Sequence, residues 1–171
     1  LKTNARAVVK LDPAIEPQDV AAHADAGLTA YHAVKKAAAI LEPGTRAVVI
    51  GAGGLGHIGI QCLKALTAAE IIVVDPLEPA LELARGLGAD QTVEVRDGYV
   101  DTVLEMTDGK GAEAVVDFVG EKGATADGVA MLRDGGSYYV IGYGENVDIP
   151  TAAKKDVTAD EWRSVQWQRS H

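Results

Sequence analysis

The sequence predicts an α/β fold built on a doubly wound parallel sheet with helices on both faces. Three observations carry that prediction. Apolar, β-branched runs such as Ala47-Val48-Val49-Ile50 and Ile71-Ile72-Val73-Val74 are continuous rather than alternating, the pattern of parallel strands buried on both faces. Strand-like runs alternate with helix-like stretches from Thr45 to Gly142, and repeated β-α-β units with right-handed crossovers wind such a sheet. Gly51, Gly53 and Gly56 stand in G-x-G-x-x-G spacing between the first apolar run and a helical stretch, the opening of a Rossmann sheet. The expected strand order is 3-2-1-4-5, with a sixth strand allowed after it.

Taken in order, Ala5 to Leu11 reads as a short strand stopped by Asp12-Pro13. Pro17 suits a first helical position, and a helix is expected from Pro17 to Ala24. A second runs from about Leu28 to Leu41, with Tyr31, Val34, Ala38 and Leu41 at helical spacing. Pro43-Gly44 ends it. The alternation then gives strand Arg46–Ile50, helix Leu55–Ala68, strand Glu70–Val74 and helix Ala80–Leu87, closed by Gly88. Strand Gln91–Val95, helix Tyr99–Thr107 and strand Ala114–Phe118 follow. Helix Ala124–Leu132 ends at Asp134-Gly135-Gly136, and strand Ser137–Ile141 ends at Gly142. In that last strand Tyr138 and Tyr139 should face opposite layers.

Composition narrows the function. With 171 residues and 47% hydrophobic residues, the chain can form one domain with a real core. A formal net charge of −9 argues against nucleic acid or an anionic membrane as partner. It does not argue against a nucleotide held by backbone N–H groups. No apolar run reaches the roughly 18 residues that span a bilayer. Residues 1–10 lack the apolar core of a secretory leader, and Cys62 is the single cysteine. A cytoplasmic setting is therefore expected.

In a doubly wound sheet the ligand crevice lies at the carboxyl ends of the strands, where the order reverses. Gly51 permits the tight turn, Gly53 lets the backbone approach a pyrophosphate, and Gly56 lets helix and strand pack closely. The helix start offers free N–H groups and a positive dipole end. Asp75 closes the second strand 19 residues after Gly56. A carboxylate there can accept both ribose hydroxyls and would repel a 2′-phosphate, so NAD is favoured over NADP. A purely structural turn, or an FAD or S-adenosylmethionine site, shares part of the pattern. His57, directly after Gly56, reads as a packing or capping residue, and Cys62 as a buried small hydrophobe.

The stretches Asp25-Ala26-Gly27-Leu28-Thr29-Ala30-Tyr31-His32-Ala33, Leu41-Glu42-Pro43-Gly44 and Val48 to His57 closely resemble the zinc-dependent alcohol dehydrogenases of the medium-chain dehydrogenase/reductase family, bacterial NAD-dependent type. Leu87-Gly88-Ala89-Asp90, Val116-Asp117-Phe118-Val119-Gly120 and Gly136 to Gly142 continue the likeness, which covers about residues 5–150. The resemblance implies a cofactor domain inserted into a substrate domain. Residues 1–16 would then end an absent substrate domain, 17–150 would form the NAD-binding domain, and 151–171 an atypical tail.

The resemblance also implies site residues. Thr29, Val119, Ile141 and Tyr143 would lie at the nicotinamide and its ribose. Gly51, Gly53, Gly54, Leu55 and Gly56 would hold the pyrophosphate, with Asp75 on the adenosine ribose. Asp25 takes the position of the third ligand of the family's catalytic zinc, whose other two ligands, a cysteine and a histidine, come from the substrate domain. One carboxylate cannot hold zinc, so none is expected here, and the catalytic set is incomplete in this chain. The parent reaction would be zinc-assisted oxidation of an alcohol to an aldehyde or ketone, in a homo-oligomer acting on small molecules. Where the family often has a basic residue about five positions after the acidic one, this chain has Ala80, with Arg85 nearby, so NAD affinity is expected to be reduced. Two alternatives remain: the cofactor domain of a zinc-free quinone or enoyl reductase, and a non-enzymatic nucleotide-binding module. Residues 151–171 depart from the family, with a capping-box signal at Thr158 and Glu161 and a helix expected to cover the sheet edge.

Overall fold

A computed structural model describes residues 2, 4–142 and 144. It contains one sheet of five parallel strands: β1 (Arg46–Ile50), β2 (Glu70–Asp75), β3 (Gln91–Glu94), β4 (Ala112–Asp117) and β5 (Leu132–Val140). Their order is β3-β2-β1-β4-β5, as the alternation predicts. The described residues include six α-helices, all but the exposed α1 packed on the sheet or on each other: α1 (Pro17–Val20), α2 (Ala26–Ala37), α3 (Gly56–Leu66), α4 (Glu78–Gly86), α5 (Tyr99–Met106) and α6 (Ala124–Ala130). The sixth strand, Tyr143 and residues 151–171, with Thr158 and Glu161, fall outside the described residues.

The continuous apolar runs behave as expected. Along β1, Ala47 and Val49 enter one core cluster and Val48 and Ile50 the other. Along β2, Ile71 and Val73 divide from Ile72 and Val74 in the same way. These residues are almost fully buried, and each large one stabilises the fold by about 1.5–3 kcal/mol. Tyr138 and Tyr139 are both buried, on opposite faces.

Three expectations need correction. Ala5–Leu11 is not a strand. Ala5–Ala7 form one turn of 3-10 helix, with Asn4 accepting from the Arg6 N–H. Val8 and Val9 are exposed, and neither edge of the described sheet pairs with them. Second, α2 does not bury Tyr31. Its inward stripe is Ala30, Ala33, Val34 and Ala37, small residues that let the helix approach α3 closely, while Tyr31 lies outside with the Lys35 ammonium over its ring. Third, Asp134-Gly135-Gly136 does not separate helix from strand. β5 begins at Leu132 and bulges, with Ala112 opposite Leu132 but Ala114 opposite Ser137. The glycines make the bulge possible. Gly135 has φ +72°, and a Cβ on Gly136 would stand 2.9 Å from the Ala112 carbonyl oxygen.

Candidate functional site

Local chemistry shapes the glycine loop first. Gly51 leaves β1 with φ +87°, a conformation open to glycine, and a Cβ there would meet a Val119 methyl at 2.6 Å. A Cβ on Gly56 would fall 1.8 Å from the Gly51 carbonyl oxygen. The start of α3 can therefore approach the strand only without a side chain. Gly53 and Gly54 are different. Both are exposed, and a Cβ on either would meet nothing within 4 Å. The absence of a side chain at Gly53 is not required by the protein's own packing.

The loop also has spare donors. The Gly51 N–H donates to the Val74 carbonyl and the Ala52 N–H to Asp75 Oδ2 at 2.8 Å. The His57 and Gly59 N–H groups enter the helix ladder. Among the described residues, the N–H groups of Gly53, Gly54, Leu55 and Gly56 find no backbone or side-chain acceptor. Orphan donors at a helix start, open glycine faces and the helix dipole make a cradle for a phosphate-sized anion. The His57 ring Nδ1 lies 2.7 Å from the Gly53 carbonyl oxygen. The carbonyl can only accept, so that bond puts the proton on Nδ1; the ring ties the loop to the first turn of α3 and caps none of its free N–H groups.

Asp75 is nearly buried. Its Oδ2 receives the Ala52 N–H and its Oδ1 the Leu77 N–H, each at 2.8 Å. The carboxylate thus braces the glycine loop against the turn into α4. Each oxygen still has a second lone pair for a hydroxyl donor. Ala80 packs partly buried against the core beside α3. Arg85 is tied to Glu78 at 2.7 Å and to the Thr92 hydroxyl at 2.9 Å, so its guanidinium is engaged on α4 and β3.

The ends of β4 and β5 complete the crevice. Val119 stands over Gly51, and a Cβ on Gly142 would lie 2.2 Å from the Val119 carbonyl oxygen. The Ile141 N–H donates to the Asp117 carbonyl at 2.8 Å. Asp117 itself is fully buried. Its Oδ1 accepts from the Val119 and Gly120 N–H groups at 2.7 and 2.9 Å, and its Oδ2 from the Tyr138 hydroxyl at 2.5 Å. Burial, then the Asp117 charge, pushes the Tyr138 phenol far above its ordinary range.

Thr29 and Asp25 sit at the start of α2. The short link from α2 through the buried Leu41 into the amino end of β1 sets this helix against the strand direction, so its start lies toward the carboxyl end of the sheet. The Thr29 N–H donates to the Asp25 carbonyl. Asp25 is exposed and occupies the N-cap position without a side-chain cap bond, which leaves its carboxylate open. Among the described residues no three His, Cys, Asp or Glu side chains gather to hold a metal. Asp25 supplies at most one ligand, so the described residues do not make a zinc centre.

The family model of zinc-binding dehydrogenases matches residues 54–162. The chain belongs to the zinc-binding dehydrogenase family. An NAD-dependent alcohol dehydrogenase of Sulfolobus acidocaldarius is 40% identical over 117 residues, which are 68% of this chain and 33% of the relative. An alcohol dehydrogenase structure from Aeropyrum pernix superposes with a TM-score of 0.84 at 42% identity, covering 88% of this chain and 45% of that one. A quinone oxidoreductase structure from Pseudomonas syringae matches with a TM-score of 0.71 at 28% identity, over 79% and 41%. The chain spans about a third of the length of the curated relatives it matches.

Within this family member, the structure brings Gly51, Gly53, Gly54, Leu55, Gly56, Asp75, Val119 and Ile141 to one end of the sheet. Sequence reasoning passed over the roles of Asp117 and Gly59. Asp117 is an acid closing the apolar run Ala114-Val115-Val116, a signal that a buried charge must find several donors. Gly59 sits against the Phe118 ring, where a Cβ would be 2.5 Å away. Its signal was a glycine in mid-helix, a costly residue without a packing reason.

Proposed function

We propose that this chain is the NAD(H)-binding domain of an alcohol dehydrogenase that oxidises alcohols to aldehydes or ketones, with residues 17–150 as the binding unit. The observation that carries the reading is the pair formed by the glycine loop and Asp75. Four N–H groups without an acceptor lie beside an open glycine surface after β1, and the Asp75 carboxylate is tied to the same loop through the Ala52 N–H. The names of the archaeal relatives support the activity and the choice of NAD.

In this reading the N–H groups of Gly53, Gly54, Leu55 and Gly56 bind the pyrophosphate. Asp75 accepts from the adenosine ribose and repels a 2′-phosphate. Val119, Ile141, Thr29 and Tyr143 orient the nicotinamide ring and exclude water from one of its faces. NAD, when bound, supplies a hydride acceptor at C4 of that ring. Asp25 is assigned as a zinc ligand of the whole enzyme, completed by residues beyond this chain. The whole protein would act on small alcohols and carbonyls in the cytoplasm as a homo-oligomer, without nucleic acid or membrane as partner. Among the described residues no helix is long and apolar enough to cross a membrane.

Thermal stabilisation tests the reading. NADH should raise the melting temperature of the chain, with NADPH at least tenfold weaker. No stabilisation at millimolar NADH would overturn it. Preference for NADPH would instead favour the quinone reductase reading that the Pseudomonas syringae neighbour keeps open. Alcohol, NAD+ and zinc together should yield no NADH with this chain alone, and turnover there would refute the assignment of the missing catalytic groups to residues outside it.

A further inference from the structure

Asp117 gathers more bonds than a strand-end residue needs. Its Oδ1 holds the N–H groups of Val119 and Gly120. Its backbone carbonyl accepts from both Ile141, at 2.8 Å, and Gly142, at 3.1 Å. Its Oδ2 takes the Tyr138 hydroxyl, delivered from β5. One residue therefore fixes the turn after β4 and the turn after β5 together. Those turns touch each other, since Gly142 has no room for a Cβ beside the Val119 carbonyl, and the first touches the glycine loop where Val119 covers Gly51. The carboxylate is fully buried, and among the described ion pairs no lysine or arginine reaches it. Neutral donors satisfy its hydrogen bonds without cancelling its charge, and a buried charge acts over longer distances than an exposed one.

We propose that Asp117 is a positioning residue that sets the nicotinamide side of the cofactor site, and that its buried charge favours the oxidised, positively charged nicotinamide over the neutral reduced ring. The proposal rests on the reading of Val119 and Ile141 as nicotinamide-side residues. It goes beyond that reading by making the preference between the two redox forms a property of a residue that need not touch the cofactor.

Binding of NAD+, NADH and ADP-ribose to the chain, measured by titration calorimetry, tests it. ADP-ribose lacks nicotinamide and so reports only the glycine loop and Asp75. Asp117→Asn keeps the shape and the Oδ1 acceptor but removes the charge. The expected result is a loss of about tenfold for NAD+, about threefold or less for NADH, and less than twofold for ADP-ribose. Equal losses for all three ligands, or none, would overturn the proposal and leave the cofactor reading intact. If the unmodified chain fails to bind ADP-ribose, the cofactor reading itself falls and takes this proposal with it. Should Asp117→Asn not fold, Tyr138→Phe serves. It removes one donor and keeps the charge, so both dinucleotides should weaken alike, with the NAD+ to NADH ratio kept and ADP-ribose unchanged. A fall in ADP-ribose binding equal to that of the dinucleotides would contradict the assignment.

Discussion

At the amino end of the sheet, carboxylates meet cations. Arg46 pairs with Glu70 and Asp108, each at 3.1 Å, Arg133 lies 3.2 Å from Glu113, and Lys64 reaches Asp90 at 3.2 Å. Glu113 and Asp90 also accept the N–H groups of Arg46 and Ile71, at the entry to β1 and β2. At the carboxyl end, Asp75 and Asp117 are more deeply buried, and their partners are backbone N–H groups and a hydroxyl. At the first end each of these carboxylates has a cation of the chain as partner. At the second, Asp75 and Asp117 have no cation partner among the described ion pairs, and the glycine loop keeps unpaired donors. Parallel strands set this asymmetry up, because all their carboxyl ends and the helix starts that follow them point the same way. The difference teaches where a ligand is needed to complete the bonding and where the fold completes it alone.

The contrast can be broken most severely at Gly56. Gly56→Ala forces a methyl to within 1.8 Å of the Gly51 carbonyl oxygen, so backbone must move. The expected outcome is a loss of at least about 1–3 kcal/mol of stability, read by urea unfolding, with NADH binding abolished. Gly53→Ala sharpens the same contrast, since its methyl meets nothing within 4 Å. Stability should stay level or rise by up to about 1 kcal/mol, while NADH affinity falls at least tenfold. Equal affinity in that variant would mean that no phosphate approaches the loop.

A subtler effect concerns Tyr138. Its phenol is raised in the folded protein, mainly by burial and then by Asp117. The stabilisation from the protonated phenol is therefore fully present below the ordinary tyrosine value of about 10 and is lost as pH rises above it. Its expected share of the slope is up to about 1.4 kcal/mol per pH unit, and Tyr138→Phe should reduce the slope in melting curves taken between pH 9 and 11, leaving the share of Tyr99, whose phenol is also raised by burial and by Asp127. The smallest effect belongs to the amino end. Arg46→Ala removes partly exposed ion pairs worth less than about 1 kcal/mol. It should lower stability slightly, less so at high salt, and leave NADH binding unchanged.

Much of the carboxyl end was legible in the chain. Gly51, Gly53 and Gly56 announce a turn, an open face and a close contact by spacing alone, and Asp75 follows at the distance that one helix and one strand impose. β1 to β4 could be placed to within a residue or two because their apolar runs have sharp polar or glycine boundaries. The errors fell where geometry outranks hydrophobicity. Tyr31 has the larger apolar surface, yet Ala30, Ala33 and Ala37 face inward because close helix packing selects small side chains. Asp134-Gly135-Gly136 signals a turn, and a bulged strand uses the same backbone conformations.

The sequence by itself determined the strand order, the position of the glycine loop and the acid that braces it, because periodicity, glycine spacing and helix length are local properties of the chain. Only the tertiary structure decided what Asp117 does and which donors in the loop stay unpaired. Those depend on β1, β4 and β5 meeting at one end of the sheet, and residues as far apart as Asp117 and Tyr138 become bonding partners only once the strands lie side by side.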